Sequence, residues 1–217
     1  MKKYSTVLFD LDGTIIDSGE GVTNSVSYAL KKFGIEIEDK STLSKFIGPP
    51  LIYSFKTFYG FDDEKAKLAI EHYREYYQEK GIFEGYIYDG VEQLLCDLKK
   101  AGKKIVLATS KPEIFAKRIL EKASLIKYFD FVAGATLDES TRITKIDVLE
   151  YAIKEANIDT VDDVVMIGDR FYDIEGAHNF GIDCIAVLYG YGERDEFEKY
   201  GAEYIFDTPE QISKFLV

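Results

Sequence analysis

The sequence predicts an α/β fold: a parallel β-sheet core interrupted by an inserted all-helical domain. Two observations support this prediction. Short apolar runs typical of buried strands alternate with helical patterns in residues 1–16 and 84–217, and this alternation favours a parallel sheet covered by helices. Residues 17–83 instead show helical periodicity and no convincing strand. We therefore expect an α/β core over residues 1–16 and 84–217 and an inserted helical domain over residues 17–83.

The first strand, Val7–Phe9, is followed by Asp10 and Asp12 and then by Gly13 and Thr14. Alternate residues of an extended chain point the same way, so the two carboxylates are expected to face one site. Two carboxylates this close repel each other unless a cation or a shared proton holds them. The pattern indicates either a polar loop that caps a buried strand or a metal-assisted nucleophile with an acid/base partner.

The inserted block contains several candidate helices separated by glycine and proline. They run from Val22 to Phe33, from Ser41 to Ile47, from Leu51 to Tyr59, and from a cap at Asp62 to Gly81, with Ile15–Gly21 as a linker and Gly48-Pro49-Pro50 as a break. Aromatic residues are abundant here and are expected to form mainly the core of a small helical bundle. The alternative is a platform on which a nucleobase stacks.

The pattern of the core resumes near Glu84. The predicted elements are a helix over Val91–Leu98, a strand over Lys104–Ala108, a turn over Thr109–Pro112 that opens a helix to about Lys122, a strand over Phe131–Ala133, a helix over Thr144–Ala156, a strand over Val164–Ile167, a helix over Ile174–Phe180, strands over Cys184–Val187 and Tyr204–Phe206, and a helix from Pro209. In such sheets, ligands bind beyond the carboxyl ends of the strands. Asp10, Asp12, Thr109, Ser110 and Asp169 fall at those ends.

Composition narrows the possible partners. The 217 residues carry a net charge of −12, which argues against binding to a nucleic-acid polymer or an anionic membrane. No apolar run approaches the roughly 20 residues of a membrane span, and the N-terminus lacks the apolar stretch of a signal peptide. Cys96 and Cys184 form no paired motif and are predicted to be buried thiols. We expect a cytoplasmic protein that is a monomer or a weak homodimer.

The oxygen-rich residues predict a site for a hard cation. Asp10, Asp12, Asp169 and Asp173 offer carboxylates, which suit Mg²⁺ best. The two histidines, His72 and His178, lie on separate predicted helices, which argues against zinc. Thr109 and Ser110 offer a hydroxyl and N–H groups for an anion, although an ordinary helix cap has the same residues. Lys145 joins this site only if its helix begins at the same crevice; otherwise it is a solvated surface lysine.

Together these residues resemble the four motifs of the haloacid dehalogenase superfamily. The matching segments are Asp10-Leu11-Asp12-Gly13-Thr14, the strand that ends in Thr109, Lys145, and Gly168-Asp169-Arg170-Phe171-Tyr172-Asp173, in the order that the family has them. The helical insert resembles the cap of the subgroup that contains phosphoglycolate phosphatases, β-phosphoglucomutases and related 5′-nucleotidases. The resemblance implies a Rossmann-like parallel-sheet core.

The resemblance also implies a role for each matching residue. It implies that Asp10 is the nucleophile and a Mg²⁺ ligand, and that Asp12 is the general acid/base and binds Mg²⁺ through its carbonyl. Thr109 and Ser110 are implied to bind the phosphate, and Lys145 to orient it. Asp169 and Asp173 are implied to be metal ligands. Gly13, Lys111 and Arg142 are further candidates for substrate binding, as is Gly48 in a loop that resembles the substrate-facing cap loop. Thr141-Arg142 and Tyr189-Gly190-Tyr191-Gly192 add to the likeness with the 5′-nucleotidase and phosphoglycolate phosphatase members, which the sequence does not separate.

The expected function is that of a Mg²⁺-dependent phosphatase that hydrolyses a small phosphomonoester through an aspartyl-phosphate intermediate. Dehalogenating members of the superfamily lack the second aspartate of the first motif, whereas this chain has Asp12. Two alternatives remain open at this point: a phosphomutase of the same superfamily, and a phosphate-binding module without catalytic activity.

Overall fold

A computed structural model of the chain describes residues 3–138 and 140–217. It divides into two compact units, the first containing the chain up to Ile16 together with Ile87–Val217 and the second containing Asp17–Tyr86. The strands are β1 Thr6–Phe9, β2 Ile16–Asp17, β3 Tyr86–Ile87, β4 Lys104–Pro112, β5 Phe131–Ala135, β6 Val164–Gly168, β7 Asp183–Val187 and β8 Tyr204–Phe206. The helices are α1 Gly19–Lys32, α2 Leu51–Tyr59, α3 Asp63–Glu79, α4 Val91–Lys100, α5 Glu113–Lys122, α6 Lys145–Glu155, α7 Phe171–Asn179, α8 Arg194–Tyr200 and α9 Pro209–Leu216.

The first unit is built on a six-stranded sheet in the order β5-β4-β1-β6-β7-β8, with every pairing parallel. Strand β1 lies between β4 and β6, and its last residue, Phe9, is paired with Leu107 and Ile167. The chain moves outward from β1 to β4 and β5 and then returns to the other side of β1. Ligands of parallel sheets bind at such a reversal of strand order, so a binding site is expected at the carboxyl end of β1.

Apolar burial explains why these segments form a layered core. Every residue of β6 is buried, as expected of a central strand covered on both faces. One face of the sheet packs against α6, α7 and Phe197 of α8, through side chains such as Val148 and Ile174. Helix α6 begins with a capping box in which Thr144 and Asp147 satisfy each other's backbone N–H groups. The predicted α/β fold with a parallel sheet is confirmed.

The second unit consists of α1, α2, α3 and two short 3₁₀ segments, Lys40–Phe46 and Gly81–Phe83. A Cβ atom on Gly21 would lie 1.9 Å from the Gly81 carbonyl oxygen, so α1 approaches the second 3₁₀ segment more closely than any larger residue permits. Five aromatic residues are buried inside this unit, in agreement with the prediction of a bundle core: Phe46, Phe55, Phe61, Tyr73 and Tyr77.

Several predicted boundaries are wrong. Thr109 and Ser110 do not open a helix: β4 continues through them to Pro112, because it regains its pairing with β5 at Pro112–Ala135 after a shift in register. Helix α8 was not predicted, since among its residues only Phe197 is buried and no apolar periodicity marks it.

Other differences are small. Helix α1 begins at Gly19, whose N–H donates to Asp17 in the supposed linker, and Asp17 itself belongs to the short strand β2.

Cys184 is buried as predicted, whereas Cys96 is only half-buried, and both thiols are free. Within residues 3–138 and 140–217, no helix combines the length and apolar character that a membrane crossing requires.

Candidate active site

Three carboxylates converge where the central strands end. Asp10 directly follows β1, Asp169 directly follows β6, and Asp173 lies in the first turn of α7. All three are buried, and one carboxylate oxygen from each lies within 4.8 Å of the others. Because β1 and β6 are paired in register, their carboxyl ends meet at the same edge of the sheet. The fold therefore brings together residues separated by about 160 positions in the chain.

Lys145, the first residue of α6, inserts its ammonium group between two of these carboxylates. Its Nζ lies 2.7 Å from Asp10 Oδ1 and 2.7 Å from Asp173 Oδ1, and it donates to the Ala108 carbonyl at 2.9 Å. Burial alone would lower the pKa of Lys145, but the charges of Asp10 and Asp173 raise it above its ordinary value. The lysine is therefore charged, and its helix begins at the same crevice as the carboxylates.

One ammonium does not balance three carboxylates. Burial raises the pKa of Asp10 to about 6, with Lys145 opposing the rise and Asp173 adding to it. Burial also raises the pKa of Asp169 well above its ordinary value, and the charges of Asp173 and Asp10 add to the rise. Ionisation of all three carboxylates together is consequently disfavoured, and a cation among them would relieve the repulsion.

The residues present fit a divalent cation. Asp169 Oδ2 accepts a hydrogen bond from the Tyr191 N–H at 2.8 Å, whereas the buried Oδ1 has no hydrogen-bond partner. A buried carboxyl oxygen without a partner is energetically costly, so this atom favours a ligand. A Cβ on Gly13 would lie 2.0 Å from Asp169 Oδ2, so any larger residue at position 13 would clash with the Asp169 carboxylate. Carboxylate oxygens in this number suit a hard cation such as Mg²⁺.

Glycines also fix the neighbouring charged groups. A Cβ on Gly168 would lie 2.2 Å from the Asp173 carboxyl carbon, and a Cβ on Gly176 would lie 2.7 Å from Lys145 Cγ. Asp173 further accepts a hydrogen bond from the Arg170 N–H at 3.1 Å, which caps α7. Asp173 and Lys145 are thus packed against bare backbone, which leaves them little freedom to move.

Asp12 does not belong to the three-carboxylate cluster but pairs with Lys111. The lysine Nζ lies 2.8 Å from one oxygen of Asp12 and 2.7 Å from the other, in a largely buried ion pair. Thr109 is buried, and its hydroxyl accepts a hydrogen bond from the Lys111 N–H at 3.2 Å. The contacts of Lys111 therefore connect the end of β4 with the segment that follows Asp10. The roles of Asp12, Thr109 and Ser110 stay predictions.

Other candidates have partners outside the cluster. Arg142 forms an ion pair with Glu113 at 3.1 Å, and its guanidinium lies 4.1 Å from the centre of the Tyr151 ring. Gly48 belongs to the second unit and has a positive φ of 101°. Both histidines pair with glutamates, His72 with Glu75 and His178 with Glu203. The cluster of Asp10, Asp169 and Asp173 is the one group of potential metal ligands among the described residues.

Two contacts at the site were not predicted from the sequence. The Tyr191 N–H holds Asp169, whereas the run Tyr189-Gly190-Tyr191-Gly192 was named only for its likeness to members of the family. Glu196 of α8 accepts hydrogen bonds from Arg170 Nε at 3.1 Å and from the Phe171 N–H at 2.8 Å, at the start of α7. No local signal marks Glu196, because it is one of four acidic residues in Glu193–Glu198.

Comparison with known proteins places the whole chain and not individual site residues. The profile of the haloacid dehalogenase-like hydrolases matches residues 7–187. A 5′-nucleotidase from Pseudomonas aeruginosa is 39% identical over 198 residues, covering 91% of this chain and 89% of the relative. A phosphoglycolate phosphatase from Colwellia psychrerythraea is 30% identical over 217 residues, covering 96% and 95%. A crystal structure described as a predicted phosphatase from Clostridium acetobutylicum has a TM-score of 0.94 and 48% identity, covering 99% of this chain and 98% of its own.

Proposed function

The chain belongs to the haloacid dehalogenase-like hydrolase family and is one of its phosphatases, and we propose that it hydrolyses small phosphomonoesters through a phosphorylated Asp10 with Mg²⁺ as cofactor. The observation that carries the proposal is the convergence of Asp10, Asp169 and Asp173 around Lys145. Asp10, Asp169 and Asp173 are proposed to hold the cation. When bound, the cation would supply positive charge that keeps Asp10 ionised and withdraws charge from the phosphoryl oxygens.

Asp10 is proposed to act as the nucleophile. One oxygen of its carboxylate attacks phosphorus while the bond from phosphorus to the ester oxygen breaks, which transfers the phosphoryl group to Asp10. Lys145 fixes the Asp10 side chain at 2.7 Å and places its ammonium where the transferred group gathers negative charge. Because the Asp10 carboxylate is buried and held by Lys145, little of the substrate's binding energy is needed to orient the nucleophile.

Asp12 is proposed to move the protons. Protonated Asp12 donates to the departing ester oxygen, and its carboxylate then takes a proton from the water that cleaves the acyl phosphate, releasing phosphate and restoring Asp10. Asp12 is suited to this task because its carboxylate lies outside the three-carboxylate cluster and pairs with a different lysine. Its partner Lys111 holds both carboxylate oxygens and so determines where the acid/base group points.

The bound cation is proposed to account for an anionic substrate on a chain of net charge −12. Its charge would add to those of Lys111 and Lys145, each of which is paired with a carboxylate. Distant surface carboxylates are screened over about 8–10 Å at physiological salt, whereas these nearby charges are not. Among small phosphomonoesters, nucleoside 5′-monophosphates are the first to test, because the 39% identical relative is a 5′-nucleotidase; phosphoglycolate follows.

The test measures phosphate release from an aryl phosphate and from a panel of phosphometabolites, with and without Mg²⁺. We expect metal-dependent turnover that is lost on chelation and in both Asp10→Asn and Asp12→Asn. The control Asp159→Asn changes an exposed aspartate of the same unit and should retain full activity. Acid quenching during turnover should trap a phosphorylated chain in the wild type and none in Asp10→Asn. Undiminished turnover in Asp10→Asn would refute the proposed nucleophile.

A further inference from the structure

The segment Tyr189–Gly192, which follows β7, contacts both halves of the carboxylate site. The Tyr189 hydroxyl donates to the Thr14 carbonyl at 3.1 Å, in the turn that follows Asp10. Two residues further on, the Tyr191 N–H donates to Asp169 Oδ2 at 2.8 Å. The segment therefore connects the loop after β1 with the loop after β6.

The two glycines of the segment permit an approach that no other residue allows. A Cβ on Gly190 would lie 2.3 Å from the Gly13 carbonyl oxygen and 2.4 Å from Asp169 Cβ. A Cβ on Gly192 would lie 2.1 Å from the Asp169 carbonyl oxygen. Neither glycine has a positive φ, so their function is to leave space and not to adopt an unusual backbone conformation. The segment is consequently packed directly on Asp169 and on Gly13.

We propose that Tyr189–Gly192 is a positioning element for the metal site. It sets the distance between Asp169 and the Asp10 loop, and it engages Asp169 Oδ2 so that the unpartnered Oδ1 is left for the cation. The inference rests on the proposed function, since it assigns the segment to that same cation. The segment touches no reacting atom, so its residues act through Asp169 and Gly13.

The first test uses Tyr189→Phe, which removes the hydrogen bond to Thr14 and keeps the ring. Titration calorimetry of Mg²⁺ alone into the metal-free chain should show binding weakened about threefold to tenfold, the effect of one lost hydrogen bond. The control is Tyr128→Phe, which removes a hydroxyl that donates to exposed Glu92 at 3.2 Å and should leave Mg²⁺ binding unchanged. At saturating Mg²⁺ the KM for substrate should stay within about twofold, because the segment orients the metal ligand and not the substrate.

The second test uses Gly190→Ala, in which the added methyl group must displace Asp169 or Gly13. Mg²⁺ affinity should fall about 10- to 100-fold, the usual effect of disturbing the groups that orient a metal ligand. Gly102→Ala is the control: it carries backbone strain at φ 75° but meets nothing within 4 Å, so it should lose some stability and bind Mg²⁺ normally. If Gly190→Ala does not fold, Tyr189→Phe decides the question.

The outcomes separate this inference from the proposed function. If the wild type binds Mg²⁺ and hydrolyses phosphomonoesters while Tyr189→Phe binds Mg²⁺ as tightly as the wild type, the positioning role is refuted and the enzyme stands. If the wild type binds no Mg²⁺, the proposed function fails first. A weaker affinity in Tyr189→Phe without loss of unfolding temperature in the metal-free chain would show that the segment acts on the metal site and not on the stability of the fold.

Discussion

Replacing Asp169 by asparagine separates the stability of the metal-free chain from its function. Asp169 is buried, its pKa is raised by burial and by two neighbouring carboxylates, and its Oδ1 has no hydrogen-bond partner. The asparagine Oδ1 can take the place of Oδ2 and accept the Tyr191 N–H, while the amide NH₂ faces the carboxylates of Asp10 and Asp173. The substitution therefore removes a repelled charge without changing the shape of the side chain.

The expected gain in stability follows from the charge. An unsatisfied buried group destabilises a fold by about 1–3 kcal/mol, and a charged group lies at the upper end. The neighbouring Asp10 gives a similar figure, because raising its pKa from 3.8 to about 6 corresponds to roughly 3 kcal/mol. We expect Asp169→Asn to stabilise the metal-free chain by about 2–3 kcal/mol, which raises Tm by about 4–12 °C for a protein of this size. Mg²⁺ at 100 times its Kd would stabilise the wild type by a comparable amount, about 2.7 kcal/mol.

The assay is thermal unfolding of both chains, with a chelator and with Mg²⁺, from pH 4 to pH 8. A carboxyl group whose folded pKa is raised favours the fold below its ordinary pKa, and that contribution is lost as the pH rises through the folded value. The advantage of Asp169→Asn in chelator should thus be largest at pH 8 and vanish toward pH 4. Mg²⁺ should raise the Tm of the wild type and not that of the variant, which should also lose phosphatase activity. A variant less stable than the wild type at pH 8, yet still stabilised by Mg²⁺, would refute the reasoning.

Three further substitutions test neighbouring contacts. Lys145→Met leaves Asp10 without its buried ion pair, so denaturant unfolding should show a loss of about 3–5 kcal/mol, and kcat should fall at least about 100-fold. Gly176→Ala gains up to about 1 kcal/mol of helix propensity, but crowding of Lys145 costs about 1–3 kcal/mol, so urea midpoints should show a net loss; a more stable variant would contradict the packing. Lys111→Met releases Asp12, so steady-state kinetics should show kcat reduced about 100-fold with a smaller change in KM; an unchanged kcat would mean that Lys111 does not position Asp12.

The site residues that could be predicted from sequence are those that directly follow a strand. Asp10 and Asp169 each directly follow a short apolar run, and a parallel sheet brings the carboxyl ends of its strands to one edge. Lys145 could be placed only conditionally, because a lysine at the start of a helix is usually solvated. Its position became clear from the fold, in which α6 begins beside Asp10 and Asp173.

Residues that act through long-range contacts could not be predicted. Glu196 caps the start of α7 from a separate helix, and nothing in its local sequence distinguishes it from the acidic residues around it. The early start of α7 was missed for the same reason, since that cap is supplied from 25 residues further along the chain. Similarly, β4 extends through Thr109 because it pairs with β5. The local sequence shows only a turn signal at Thr109–Pro112, and this signal led to the wrong end for the strand.

The charge balance of the site explains why so many glycines surround it. Three carboxylates and one ammonium are brought into a buried space, and mutual repulsion would drive freely moving side chains apart. Gly13, Gly168 and Gly176 let Asp169, Asp173 and Lys145 pack against backbone with no room to rearrange. The packing therefore disfavours simultaneous ionisation of the three carboxylates, and the cation that we propose would relieve this repulsion without having to reorganise its ligands. On the proposed function, the strain among these carboxylates and their affinity for a cation are consequences of the same packing.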